Sequence, residues 1–178
     1  MSSITDYIRI IPDYPEKGIN FYDMNSLFAG PLFSKVVDQL INDNIQHIET
    51  PTHIVGIESR GFVLGAAIAY AVKLPLVMVR KKGAKYPGEL LEESYKLEYG
   101  DATLTLQTGL LGHTDRAIIT DDLVATGGSM IATKNLVEQT GAKVLAGLTI
   151  IDLAYLDTQR PMEIFSSEKI TELNQILD

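Results

Sequence analysis

The 178-residue chain is 46% hydrophobic, enough for one sizeable core, and is expected to form a single domain over residues 1–178. Its net charge of -8 argues against a general nucleic-acid or anionic-membrane binder, because phosphate backbones require clustered Lys and Arg, so any phosphate site must be local. No cysteine is present for a disulfide or thiolate metal site, no apolar run approaches the roughly 20 residues that cross a bilayer, and Met1-Ser2-Ser3-Ile4-Thr5-Asp6 lacks a leader pattern; the expectation is a cytoplasmic protein.

Ser3, with Asp6 three positions later, predicts a capped first helix running to about Ile11 and ended by Pro12. The irregular stretch that follows, with Pro12, Pro15 and Gly18, leads to a short β-like piece at Asn20-Phe21-Tyr22-Asp23. It serves either as an arm packed on the domain or as a loop that brings backbone groups and an aromatic face to a ligand. Gly30-Pro31 opens a helix whose buried stripe is Leu32, Phe33, Val36, Val37, Leu40 and Ile41. Thr52 to Ile57 reads as a strand, then Glu58-Ser59-Arg60-Gly61 as a polar loop, then Phe62 to Val72 as an apolar helix. Ligands of an open parallel sheet bind beyond the carboxyl ends of its strands, and Arg60 in that position suits a phosphate or pyrophosphate. Leu76 to Val79 is the next strand, ending in Arg80-Lys81-Lys82-Gly83.

From Gly83 to Glu93 there is little to bury, and a mobile loop is expected. Ser94 to Tyr99 alternates, with Tyr95, Leu97 and Tyr99 on one face; Gly100-Asp101 is a hinge and Ala102 to Gln107 alternates again. The two runs predict a β-ribbon lid able to exclude water from a reactive intermediate. On chemistry alone Glu98 is also compatible with an exposed strand carboxylate paired to Lys96.

Ala117 to Asp122 is an apolar strand ending in two adjacent carboxylates, and Leu123-Val124-Ala125-Thr126-Gly127-Gly128-Ser129 leads into a helix from Met130 to Thr140. Thr126, Gly127, Gly128 and Ser129 suit an anion: the glycines admit close approach to backbone N–H groups, the hydroxyls donate, and the helix N-terminus adds its dipole. Carboxylates repel phosphate unless something lies between them, and a sugar with two hydroxyl donors meets that demand, with Asp121 and Asp122 as its acceptors. No G-x-G-x-x-G is present, and Gly56 to Gly61 has Walker glycine spacing but continues Phe62-Val63 instead of Lys-Ser/Thr. An acidic metal pocket of the receiver type is the remaining rival. Gly141 caps the helix, Lys143 to Asp152 is a long apolar strand, and Leu153-Ala154-Tyr155-Leu156 extends toward the same crevice. Met162 to Phe165 reads as an edge strand, and Ile170, Leu173, Ile176 and Leu177 as a terminal helix. His47, His53 and His113 have no metal-ligand spacing and are read as structural.

The segment from Asp121 to Ser129 resembles the phosphoribosyl pyrophosphate (PRPP) motif of the type I phosphoribosyltransferase family. Pro12-Asp13-Tyr14-Pro15 through Asp23, Glu58-Ser59-Arg60-Gly61-Phe62, Arg80-Lys81-Lys82-Gly83 and Ser94-Tyr95-Lys96-Leu97-Glu98-Tyr99-Gly100 resemble its adenine-specific branch. The resemblance implies an α/β type I phosphoribosyltransferase fold, with a mainly parallel five-stranded sheet flanked by helices. An N-terminal hood over about residues 1–30 and a flexible β-ribbon lid over about 81–107 would complete it. It implies purine salvage, joining adenine to PRPP to give AMP and pyrophosphate, by a homodimer with no nucleic-acid or membrane partner. Mg2+ would be held through substrate and water, without a direct protein ligand. Ala125, Thr126, Gly127, Gly128 and Ser129 would hold the 5'-phosphate, and Asp121 and Asp122 the ribose. Ser59 and Arg60 would hold pyrophosphate, with Arg80, Lys81 and Lys85 as further candidates. Adenine would lie between Phe21 and Leu156, read by backbone groups at Asn20 and Tyr22, and Glu98 would act on the base nitrogens. The alternatives are a 6-oxopurine phosphoribosyltransferase and a PRPP-sensing regulator on the same fold.

Overall fold

The computed structural model describes residues 4–96, 100–156, 160 and 162–172. Its N-terminal part is not the predicted helix. A 3-10 turn at Ile4–Tyr7 gives way to β1 (Arg9–Ile11), which pairs antiparallel with β2 (Phe21–Asp23), placing Ile10 opposite Tyr22. The helix expected to reach Ile11 gives way because Arg9-Ile10-Ile11 gains a strand partner, locked by the Arg9–Asp23 ion pair at 2.5 Å and by Ser26, whose hydroxyl accepts the Arg9 N–H. One helical turn, α1 (Asn25–Phe28), then buries Leu27.

Helix α2 (Phe33–Asp43) starts two residues beyond Pro31 and buries Val36, Val37 and Leu40, with Leu32, Phe33 and Ile41 packed at the margin, so the predicted stripe holds. Strand β3 (His53–Ile57), helix α3 (Gly61–Val72) and strand β4 (Leu76–Lys81) form the first βαβ unit. β4 runs two residues past Val79, so Arg80 and Lys81 lie on the strand itself. β5 (Leu90–Lys96) and β6 (Asp101–Gln107) form the antiparallel ribbon, with Leu90 opposite Gln107 and Lys96 opposite Asp101. The ribbon joins the main sheet, because β6 pairs with β4 at Arg80–Thr105 and Lys81–Leu104. β7 (Arg116–Val124), α4 (Gly128–Gln139) and β8 (Lys143–Leu153) form the second unit, and β9 (Ile164–Ile170) is the edge strand. Ile170 therefore ends a strand, and residues 173–178 of the predicted terminal helix lie outside the described residues.

Among the described residues the main sheet has the order β5-β6-β4-β3-β7-β8-β9. Its five strands from β4 to β9 are parallel, as expected, with the ribbon added at one edge. Alternation puts Ile118 in a core with α2, α3 and the N-terminal segment, while its neighbour Ile119 enters a second core under α4 and the ribbon. With both faces covered, the carboxyl ends of β3, β4 and β7 converge on one crevice.

Candidate active site

That crevice is a cavity of about 210 Å³ lined by Ile57, Glu58, Ser59, Arg60, Lys81, Tyr95, Asp121, Asp122, Leu123 and Ser129. β3 and β7 are adjacent and parallel, so the Glu58–Arg60 turn lies beside the acid pair. The approach is close. A Cβ on Gly61 would stand 2.7 Å from the Thr120 carbonyl oxygen and 3.0 Å from Asp121 Oδ1, and one on Gly65 would stand 2.6 Å from the Thr120 hydroxyl. Glycine at both positions lets α3 lie against β7, which carries Arg60 to Asp122.

Arg60 Nε faces Asp122 Oδ2 at 3.0 Å, and its guanidinium lies 5.5 Å from the centroid of the Phe21 ring, so a strand of the N-terminal segment is drawn to the same loop. Asp122 Oδ2 is buried and accepts no well-aligned hydrogen bond, so the Arg60 ion pair is what balances its charge. Asp121 Oδ1 accepts the Asp122 N–H at 2.9 Å, and Oδ2 faces the Ser129 hydroxyl at 3.4 Å. Burial, then the neighbouring Asp122 charge, pushes the Asp121 carboxyl well above the usual range, while Arg60 acts against both. Burial also raises Asp122, opposed chiefly by Arg60.

Between Val124 and α4, Gly127 has φ of 82°, a conformation that glycine adopts without penalty. α4 starts with no side-chain cap, so its first N–H groups are open to an anion beside Thr126, Gly128 and Ser129. Lys81 lines the cavity, and its N–H donates to Glu58 Oε2 at 2.8 Å. Arg80 lies 3.5 Å from the same Glu58 oxygen and 5.5 Å from the Tyr86 ring. Lys85 stands exposed in the loop between β4 and β5, outside the cavity lining. Leu156 sits in a 3-10 turn, Ala154–Leu156, that continues from β8. Its neighbour Tyr155 abuts the buried Tyr22, whose hydroxyl is raised by burial and then by Tyr155. The Tyr22 side chain is thus core, whereas Phe21 on the opposite face of β2 reaches Arg60. Glu98 lies outside the described residues.

Residues 23–164 match the phosphoribosyl transferase domain family. The adenine phosphoribosyltransferase of Carboxydothermus hydrogenoformans is 43% identical over 169 residues, spanning 95% of this chain and 96% of that protein. The chain belongs to the adenine phosphoribosyltransferase family. Among solved members, the enzyme of Thermoanaerobacter pseudethanolicus superposes with a TM-score of 0.86 at 34% identity, covering 94% of this chain and 98% of that one. The Saccharomyces cerevisiae enzyme, solved with an imino-altritol bisphosphate and adenine, gives 0.84 at 33% identity, covering 92% and 96%.

Two features of this family member were not legible from motifs. Tyr95 lines the cavity, which follows only once β5 is folded over α4. Arg160 donates to Asp152 Oδ1 at 2.5 Å, to the Ala125 carbonyl at 3.0 Å and to the Leu153 carbonyl at 3.3 Å, tying the end of β8 to the loop before α4. The one local signal was an acid, Asp152, closing a buried apolar strand.

The raised carboxyl of Asp121 has a stability consequence. Between the ordinary carboxylate range and its raised value, the folded chain holds a proton that the unfolded chain has lost, so stability falls as pH rises through that window. Asp121→Asn removes the titrating carboxyl. It is expected to melt above the parent at about pH 7.5, by about 2–4 °C per kcal/mol relieved, with the gain vanishing near about pH 4, while activity falls. Calorimetric scans at the two pH values check this; a lower melting point at neutral pH would refute it.

Proposed function

We infer that this chain is an adenine phosphoribosyltransferase of purine salvage, converting adenine and PRPP to AMP and pyrophosphate. The observation that carries the reading is the buried acid pair, with Asp122 Oδ2 paired to Arg60 at 3.0 Å, set between that arginine and the uncapped start of α4. A phosphorylated ribose supplies hydroxyl donors to Asp121 and Asp122 and an anion to the N–H groups and hydroxyls of Ala125, Thr126, Gly127, Gly128 and Ser129. Ser59, Arg60 and Lys81 hold pyrophosphate at the opposite end, with Arg80 steadying Glu58. Lys85 is the more distant candidate. Phe21 and Leu156 enclose the base, and backbone groups at Asn20 and Tyr22 read its edge.

Arg60 is the hinge of this arrangement, because pyrophosphate oxygens compete with Asp122 for its guanidinium. Mg2+ would fit the donor set: Asp121, Asp122 and Glu58 line the cavity and offer carboxylate oxygens, the hard ligands that ion takes. The reading is that these groups hold Mg2+ through substrate and water. When bound it neutralises charge on the leaving pyrophosphate. As adenine N9 attacks C1', Glu98 takes up the proton the base must lose and opposes the developing positive charge on the sugar. The strands β5 and β6 serve as the lid, residues 81–107, and the first 30 residues as the hood, within one domain.

Initial rates with PRPP and adenine, hypoxanthine, guanine or xanthine test the assignment. Turnover of adenine alone is expected; preference for a 6-oxopurine favours that branch, and PRPP binding without turnover favours a regulator. No described helix is long and apolar enough to cross a membrane. The compartment proposed for the reaction is the cytoplasm.

The active unit is a homodimer. α3 contains no charged residue from Gly61 to Val72, and although Leu64, Gly65 and Ile68 face the core, Val63 and Tyr70 on its outer side are 42% and 78% exposed. A helix that is apolar all round belongs in an interior, and a second copy supplies one. Val63→Glu with Tyr70→Asp is expected to convert a dimer to a monomer in sedimentation velocity; a monomeric parent chain would refute the assignment.

A further inference from the structure

β5 turns Leu91, Glu93 and Tyr95 inward, as alternate residues of one strand face, against α4. Leu91 and Tyr95 pack on the core beneath that helix. Between them Glu93 places a carboxylate where an apolar side chain would ordinarily lie, and α4 meets it with two amides one turn apart. Asn135 Nδ2 donates to Glu93 Oε1 at 2.8 Å and Gln139 Nε2 donates to Glu93 Oε2 at 3.2 Å, so each oxygen has its own donor. Two residues on, the Tyr95 ring covers the first residue of α4. A Cβ added to Gly128 would stand 2.9 Å from Tyr95 Cδ2 and 3.3 Å from the Lys96 carbonyl oxygen.

We propose that Glu93 is a positioning residue: with Asn135 and Gln139 it latches the β5 strand to α4, and through Tyr95 and Gly128 it sets how closely the ribbon covers the PRPP phosphate loop. The proposal rests on the phosphoribosyltransferase reading of the site. A polar latch suits a lid. Apolar contact alone would hold β5 down without a defined register, whereas two directional hydrogen bonds set its position and exchange readily for water when the ribbon lifts. α4 makes the coupling direct, because the helix that carries the latch at Asn135 and Gln139 also begins the anion site at Gly128 and Ser129. The Tyr95 hydroxyl, raised by burial and then by the Asp121 charge, stays neutral as it lines the cavity.

The test uses the full-length chain and PRPP with Mg2+, titrated by calorimetry, beside hydrogen exchange of the β5 amides in the unliganded protein. Glu93→Ala is expected to speed exchange across residues 90–96 and to raise the Kd for PRPP about tenfold, with the melting temperature little changed. Asn135→Ala with Gln139→Ala should reproduce both effects, and adding Glu93→Ala to that pair should do nothing more, since all three act through one contact. Unchanged exchange and Kd overturn the proposal, and so does faster exchange with unchanged Kd, which would make the contact merely structural. A parent chain that binds PRPP without turnover overturns the activity but not the latch.

Discussion

Glu98→Gln is expected to lower kcat by about two to four orders of magnitude while leaving the Kd for PRPP within about threefold. The charge demand of the reaction sets this size. Adenine arrives with a proton on the nitrogen that must become the nucleophile, and departure of pyrophosphate leaves positive character on the sugar ring. A carboxylate close to both accepts the proton and stabilises the cation; an amide of the same shape does neither. In the proposed site PRPP is bound elsewhere, by the residues around Arg60, Asp122 and Gly128, so its affinity should not follow kcat. Single-turnover rates together with calorimetric PRPP binding separate the two quantities. An unchanged kcat removes Glu98 from the mechanism.

Arg60→Ala should be the most damaging change at the other end of the site, with kcat/KM for PRPP reduced by about 10²–10³-fold. It removes the bidentate donor proposed for pyrophosphate, and it also strips the buried Asp122 of its counter-charge at 3.0 Å. The stability cost has a definite pH dependence. Burial already raises both carboxyls of the acid pair and Arg60 opposes that rise, so its loss lifts them further. Over the widened window the folded chain binds more protons than the unfolded one, and stability declines as pH increases. The variant should therefore lose about 1–3 kcal/mol near neutrality, below the full figure for a broken buried pair because the Arg60 side chain is 37% exposed, and little below about pH 4. Urea melts at the two pH values check the sign. A deficit that grows on acidification would contradict it.

Most of the sheet was readable one segment at a time. The run from Ala117 to Asp122, the apolar stretches at Thr52 and Lys143, and the glycine at 141 each carry their structure in local periodicity or turn chemistry, and all fell within a few residues of the observed elements. The loop proposed to hold phosphate stands out for the same reason, since the glycines, hydroxyls and acids it offers lie within nine consecutive positions. The first strand was not. Ser3 and Asp6 favour a helix locally, and β1 forms only because Phe21–Asp23 lies alongside it. Ile170 misled in the same way, for it belongs to an edge strand paired with Leu153.

Relations between distant segments lay beyond local pattern. That Arg60 pairs with Asp122 and also touches Phe21 depends on α3 lying against β7, which the two glycines permit without naming the partner strand. That Arg160 braces Ala125, and that Glu93 meets Asn135 and Gln139, depends on chain folded back over 35 to 46 positions. Residue type and spacing point to the ligand chemistry proposed for the chain, because those preferences act over a few bonds. Which side chains share the cavity, which carboxylates lose their water, and how the ribbon sits on α4 were decided by tertiary packing, because burial and charge pairing are properties of neighbours in space.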